Sequence, residues 1–436
     1  MAQLLSGVRY IDALIFGVDG LRWNRDEAVG SPASVSYSFL DTLPAYAKAN
    51  GDATQADFRP FTPAQREAAV GILQQYAEIA HLTFEPQPDD AAAQIHFALN
   101  DQGSESLAYA YPPYRNYEPA GDVWLSTSAP GNDDLAPGEQ GYATLLHEIG
   151  HALGLKHPFD AERTGVTLSG VENTEEYTVM AYRLHPYATF YTAGGDEKYI
   201  EASTPMLYDI AAIQYLYGAN ETGRAGDNVY SFAPHKPFFM CLWDGGGTDT
   251  VSVARFTLGC DIDLRDGHFS DVTILSAAPP VGGGLVYDGT DNLSIAFGAV
   301  IENATGGAGD DVLRGNAVAN VLRGNAGDDT LAGGVGADRL IGGDGADTFA
   351  FSSPGAGDVV GDFVAGTDHL QFDGARFTGL AGLDPDQMFA QHYLDYDGAA
   401  GLLYYDADGS GSAEDPVLVA KFNGHPAIGP ADITLV

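Results

Sequence analysis

From Gly306 to Ala350 the chain repeats every nine residues, five times without a break in phase: GGAGDDVLR, GNAVANVLR, GNAGDDTLA, GGVGADRLI and GGDGADTFA. The eighth position is always apolar (Leu313, Leu322, Leu331, Leu340, Phe349), and the sixth is Asp311, Asn320, Asp329, Asp338 and Asp347. The first six residues of each unit therefore read as a turn and the last three as a very short strand with one inward side chain. Units of this kind bury their apolar residues only by stacking on their neighbours. A flexible glycine-rich linker has no reason to keep an apolar residue at every ninth position.

Stacking has an electrostatic consequence. Successive turns of a parallel roll lie ~4.8 Å apart, and two carboxylates at that spacing repel by roughly 3.5 kcal/mol at an effective dielectric near 20. A hard cation that takes carboxylate and turn-carbonyl oxygens converts the repulsion into coordination. The pattern is thus that of a calcium-binding parallel β-helix. The expected calcium ligands are Asp311, Asp329, Asp338 and Asp347, with the turns that carry Gly307, Gly309, Gly327, Gly334, Gly336, Gly343 and Gly345; position 325 is Asn325 and is not assigned. The second unit departs from the pattern, with Asn316, Val318 and Asn320 in place of Gly, Gly and Asp. A calcium site relying on Asn320 is expected to be weaker or absent.

The chain has 436 residues, enough for two or three domains. Its 20 Lys+Arg against 60 Asp+Glu give a net charge of −40, which argues against binding a nucleic-acid backbone or docking on an anionic membrane. The first ~200 residues read as mixed α/β. A helix is expected over Pro63 to Ile79, capped by Thr62 with Pro63 at its first position. Strands are expected over Ala93 to Ala98 and Asp122 to Ser126. A further helix runs from about Pro205 to Tyr217, capped by Ser203 or Thr204, with Leu207, Ile210, Ile213 and Tyr217 on its apolar face and Gly218 as its stop. Beyond Gly218 the texture changes to short β-like runs broken by Gly, Asp and Asn, which places a domain boundary near 218–230 and divides the chain into 1–220 and 221–436. Two cysteines, Cys241 and Cys260, are too few for a disulfide scaffold; a bonded pair and two buried thiols are both open.

The segment HEIGHALGLKHP, His147 to Pro158, carries the chemistry. His147 and His151 stand four apart, so on a helix their side chains face the same way. That suits two imidazoles converging on one tetrahedral metal. Glu148 lies beside the first of them, where it reaches a water at the metal without taking a coordination position. On a continuing helix His157 would lie ~15 Å from His147 along the axis and on another face. It becomes a third ligand only if the chain turns back, and Gly154 is the residue able to adopt a left-handed conformation there. Three neutral ligands with one open position describe a catalytic zinc site rather than a closed structural one.

HEIGHALGLKHP resembles the metzincin zinc motif, and Pro158 after the third histidine is similar to the serralysin branch. YTVMAY, Tyr177 to Tyr182, resembles that family's Met-turn, which implies Met180 as an apolar base beneath the zinc and Tyr182 as a further, displaceable zinc ligand that hydrogen-bonds the developing oxyanion. PMLYDIAAIQYLYGAN, Pro205 to Asn220, and NLSIAFGAVIENATGGAGDD, Asn292 to Asp311, are similar to the closing helix of the serralysin catalytic domain and to the approach to the family's RTX repeats. The resemblance, from about residue 35 to the end, implies an α+β metzincin domain followed by an all-β domain, a parallel β-roll of RTX nonapeptides within a β-sandwich. It implies half a turn per nonapeptide, so that Asp311, Asp329 and Asp347 line one side and Asn320 and Asp338 the other. WDGGGTDT, Trp243 to Thr250, resembles a calcium-binding stretch, with Asp244 and Asp249 as candidates.

The function implied is a secreted, calcium-stabilised zinc endopeptidase, in which Glu148 takes a proton from water and passes it to the leaving amine. Its partners would be a protein or peptide substrate and a type I secretion transporter, with no nucleic acid and no membrane anchor, and the chain is expected to be a monomer. No run of 18 apolar residues occurs and the amino terminus lacks the pattern of a secretory signal; the acidic-then-apolar tail ADITLV, Ala431 to Val436, resembles an uncleaved type I signal. The rival readings are a calcium-binding surface-layer or adhesin module with a vestigial protease domain, which the intact Glu148 opposes, and a zinc amidase or other hydrolase. Among weaker features, DADGSGSAED, Asp406 to Asp415, begins like an EF-hand loop but has Val417 where the bidentate Glu belongs and reads as a hairpin turn. His185 reads as a surface histidine. AYAY, Ala108 to Tyr111, and Asp122 to Ser126 are the candidates for an edge strand that pairs with substrate, and the resemblance favours the first.

Overall fold

The structure, a computed structural model, describes residues 5–17, 21–88, 92–103, 106–161, 163–277, 284–410 and 414–436. Two units cluster separately. The first comprises Met1–Ala225, Pro237–Gly245 and Leu275–Phe297; the second comprises Gly226–Lys236, Gly246–Ile274 and Gly298–Val436. Segments beyond residue 220 thus join the first unit, and main-chain pairing shows why. Strand Leu293–Ile295 runs parallel to Met240–Leu242, and the Ser203 hydroxyl donates to the Phe239 carbonyl at 2.7 Å.

The first unit begins with the short helix α1 (Arg9–Leu14), strand β1 (Ala33–Phe39), helix α2 (Ala45–Asn50) and helix α3 (Pro63–Ile79). Thr62 and Gln65 exchange hydrogen bonds at the start of α3, a capping box that satisfies two orphan donors. Strands β2 (Leu82–Pro86), β3 (Ile95–Asn100), β4 (Ala108–Ala110) and β5 (Val123–Ser126) follow. The sheet order is β2-β1-β3-β5-β4, with β4 antiparallel at one edge. Of the two candidate edge strands, Ala108–Ala110 lies at the edge, and Val123–Ser126 is fully buried inside the sheet. Helices α4 (Gln140–Ala152) and α5 (Leu207–Tyr217) follow. The start of α5 differs from expectation. Neither Ser203 nor Thr204 caps it; Met206 is the N-cap, and Asp209 accepts its N–H at 2.9 Å. Gly218 ends the helix at φ +83°.

In the second unit the nonapeptides pair at an interval of eighteen residues. Val312–Arg314, Thr330–Ala332, Thr348–Phe351 and His369–Phe372 form one parallel ladder, with Leu313 opposite Leu331 and Leu331 opposite Phe349. Asn303–Thr305, Val321–Ala326, Arg339–Asp344 and Asp358–Val360 form the other, with Leu322 opposite Leu340. All five eighth-position side chains are fully buried. Turn glycines stack at the same interval. A Cβ on Gly327, at φ +116°, would stand 2.5 Å from the Gly309 carbonyl oxygen, and one on Gly345 would collide with that of Gly327. Strands Leu402–Tyr405 and Val417–Phe422, which flank the acidic loop at 406–415, pair antiparallel; residues 411–413 of that loop lie outside the described ones. Cys241 and Cys260 are free buried thiols.

Candidate metal centre

Helix α4 ends at Ala152, and Gly154, at φ +103°, reverses the chain. That reversal carries His157 back to the two helical histidines. The Nε2 atoms of His147, His151 and His157 lie 3.0–3.2 Å from one another, close enough to share a single metal ion. The Nδ1–H of His147 donates to the Val179 carbonyl at 2.7 Å, and that of His151 to the Leu155 carbonyl at 2.8 Å. A carbonyl only accepts, so Nδ1 carries the proton in both rings and Nε2 presents a bare lone pair. Lone pairs that face one another at this distance cannot bond to each other; they fit a shared cation.

Protons do not meet that need. Burial lowers the His147 and His157 pKa values to about 4 and holds His151 well below the usual range. Glu148 is 6% exposed, and its Oε2 has no hydrogen-bond partner. Burial pushes its carboxyl up to about 8, a shift that a dication in the adjacent trio opposes.

The floor of the centre comes from the turn at 177–182. Met180 is fully buried, and a Cβ on Gly150 would stand 2.8 Å from its sulfur. Asp209 of α5 holds this turn, accepting from the Thr178 hydroxyl at 2.6 Å and from the Val179 N–H at 2.8 Å. One carboxylate therefore caps α5 and fixes the residue whose carbonyl orients His147. Tyr182 is 70% exposed, and its ring centroid lies 4.5 Å from that of His157. Phe159, which sequence reasoning passed over, stacks on the His157 ring at 5.0 Å and 6°. His185 is not a surface residue: it is 2% exposed and stacks on Phe239 at 3.9 Å. The ring face of Phe239, distant in sequence, supplies the burial.

The repeats hold a second polar system. Asp329 Oδ1 accepts the N–H of Asp311 at 2.8 Å, Asp347 Oδ1 that of Asp329 at 3.0 Å, and Asp368 Oδ1 that of Asp347 at 3.0 Å. On the other side Asp338 Oδ1 accepts from Asn320 and Asp358 Oδ1 from Asp338. Asp358 and Asp368 lie twenty and twenty-one residues after their partners, off the nine-residue phase, and the repeat count did not reach them. Asp329 Oδ2 and Asp338 Oδ2 are buried without a partner. Burial, reinforced by neighbouring carboxylates, pushes the pKa of Asp329 up to about 7, of Asp358 to about 7 and of Asp347 to about 6. Orphaned, mutually repelling carboxylates fit calcium. Asn320 instead closes its own turn, accepting the Asn316 N–H at 2.8 Å and donating to the Glu302 carbonyl at 2.8 Å. Asp249 is fully buried and accepts the Asn228 N–H; Asp244 is buried in the other unit.

Comparison with known proteins agrees with this chemistry. Residues 209–414 match the family described as Peptidase M10 serralysin C terminal, and residues 143–227 match a Met-zincin family. The chain is similar to Metalloprotease AprA of Pseudomonas entomophila, 36% identical over 90% of this chain and 82% of that protein. It is 37% identical to Metallopeptidase AprA of Pseudomonas marginalis, over 84% of this chain and 77% of that protein. Against Serralysin B of Dickeya chrysanthemi it is 35% identical over 67% of this chain, and the match spans 60% of that protein's length. The cofactors that the two polar systems fit are zinc at the imidazoles and calcium at the stacked carboxylates. With a metzincin domain and a serralysin C-terminal domain, the chain belongs to the serralysin family of metallopeptidases.

Proposed function

We propose that the protein is a secreted, calcium-stabilised zinc endopeptidase. The observation that carries the reading is the convergence of three Nε2 atoms, with His147 and His151 locked in the metal-binding tautomer, beside a buried carboxylate with an unpartnered oxygen. Zinc, when bound there, supplies Lewis acidity to water and to the scissile carbonyl. Glu148 takes the proton of the attacking water and delivers it to the leaving amine. The Tyr182 hydroxyl donates to the carbonyl oxygen as charge develops on it. Met180 supports the imidazoles from beneath, and the free edge of β4 pairs with an extended protein or peptide substrate.

In this reading the first unit is the catalytic domain and the second a calcium-filled β-roll, in which Asp311, Asp329, Asp338 and Asp347 supply carboxylates and the glycine turns supply carbonyls. Support comes from the eighteen-residue ladders and the orphaned oxygens of Asp329 and Asp338. Low cytosolic calcium would leave the repeats unfolded for export through a type I transporter directed by the ADITLV tail, and calcium outside would fold them. Folded, active protein inside cells at low calcium would overturn that route. The peptidase assignment is tested by digesting casein with calcium present while zinc is removed with a chelator and restored at one equivalent. Activity should vanish and return; a folded, zinc-loaded protein that leaves casein and peptide libraries uncut would overturn it.

A further inference from the structure

His147 and His151 owe their positions to a helix, but His157 depends on an irregular turn whose carbonyls lack a regular hydrogen-bond ladder. The amino-terminal segment supplies the missing donors and contacts. Lys156, 1% exposed, sends its ammonium to the Ala13 carbonyl at 2.6 Å, to the Asp160 carbonyl at 2.6 Å and to the carbonyl of His157 itself at 3.4 Å. Its own N–H donates to the Leu14 carbonyl at 2.7 Å. The Trp23 indole N–H donates to the Ala152 carbonyl at 2.9 Å, where α4 ends. Gly154 packs so closely that a Cβ would stand 2.5 Å from the Leu21 carbonyl oxygen.

We propose that Lys156 is a positioning residue for the third zinc ligand, clamping the His157 turn to the segment formed by Ala13, Leu14 and Trp23, which thereby becomes an integral part of the zinc site. The inference rests on the zinc reading of the trio. An ammonium has three donors and no acceptor; here they tie α1, the ligand's own peptide and the peptide of Asp160 to one point. Two ligands fixed by a helix and one fixed by this clamp make zinc affinity, rather than the fold as a whole, the quantity that depends on Lys156. Cleavage of the chain between α1 and Trp23 would, by the same argument, impair zinc retention.

The test is zinc affinity, measured by competition with a chromogenic chelator on full-length, calcium-loaded protein. Lys156→Met keeps the apolar stem and removes the donors; its zinc dissociation constant should rise at least tenfold. Ile72→Ala, a cavity variant in α3, should lower the thermal midpoint while leaving zinc affinity within twofold of the parent. Trp23→Phe deletes the indole donor together with the ring edge packed against Gly121 and should raise the dissociation constant two- to fivefold; it decides the question alone if Lys156→Met does not fold. Folded Lys156→Met with wild-type zinc affinity, or an unaltered Trp23→Phe in its absence, would overturn the clamp while leaving the zinc reading intact. A wild-type protein that takes up no zinc would overturn the zinc reading itself.

Discussion

The Nδ1–H of His147 donates to the carbonyl of Val179, 32 residues further along the chain and immediately before Met180. This bond joins the helix that supplies two imidazoles to the turn that supports them, and it sets the tautomer that leaves Nε2 free for metal. Asp209 holds the same turn from α5, so three separate chain segments determine one lone pair.

Tyr182 is 70% exposed, with its ring set against those of His157 and His147. If its hydroxyl serves the developing oxyanion, Tyr182→Phe should lower kcat by about 100- to 1000-fold, the range for loss of one oxyanion donor. KM and zinc content should change little. Steady-state kinetics with a fluorogenic peptide, together with metal analysis, distinguishes this from a loss of binding.

Gly154→Ala places a methyl group 2.5 Å from the Leu21 carbonyl oxygen in a left-handed backbone. The variant should lose about 1–3 kcal/mol of stability through strain and bind zinc more weakly. Chemical denaturation combined with zinc competition measures both effects. Unchanged stability would mean that the turn is looser than its geometry indicates.

With zinc holding the three histidines, the repeat carboxyls of calcium-free protein should contribute more stability as pH falls from 8 to 5. The carboxyls of Asp329, Asp358 and Asp347 have folded-state values of about 7, about 7 and about 6, above the ordinary value near 4. The folded state therefore binds protons more tightly than the unfolded one. The resulting stabilisation is complete below about pH 4 and is lost as pH rises through 6–7. Thermal melts in a calcium chelator should show a midpoint several degrees higher at pH 5 than at pH 8, with calcium flattening the difference. A midpoint that rises toward pH 8 in the chelator contradicts this assignment.

The two sides of the repeat array should respond oppositely to exchange of amide and acid. Asp329→Asn should reduce the calcium bound in titration calorimetry and lower the thermal midpoint in calcium but not in chelator. Asn320→Asp adds the carboxylate that the second repeat lacks and should raise calcium uptake, at the cost of the Asn320–Glu302 carbonyl hydrogen bond. Equal calcium stoichiometry in all three proteins would contradict a role for the sixth position.

What the sequence disclosed was what periodicity and local chemistry write into it. The four-residue spacing of His147 and His151, the left-handed glycine before His157 and the nine-residue apolar column all concern neighbours along the chain or a strict repeat. Thr62 and Pro63 open α3 for the same reason. Features set by distant segments were not readable. At the start of α5, Asp209 rather than Ser203 or Thr204 accepts the N–H of the N-cap Met206, and the same carboxylate holds the turn at 177–182. His185 is buried because Phe239, 54 positions away, offers a ring face. Asp358 and Asp368 continue the carboxylate ladders after the phase has slipped, and the Lys156 ammonium meets the Ala13 carbonyl only once α1 lies beside it.

In the proposed mechanism Glu148 performs proton transfer at a zinc held by His147, His151 and His157. That role is tested most directly by casein digestion with zinc and calcium present, comparing wild type with Glu148→Ala after circular dichroism and metal analysis show both to be folded and zinc-loaded. The predicted result is digestion by the wild type and a rate at least 100-fold lower in the variant, with one zinc in each. Comparable digestion by the two proteins would contradict the mechanism.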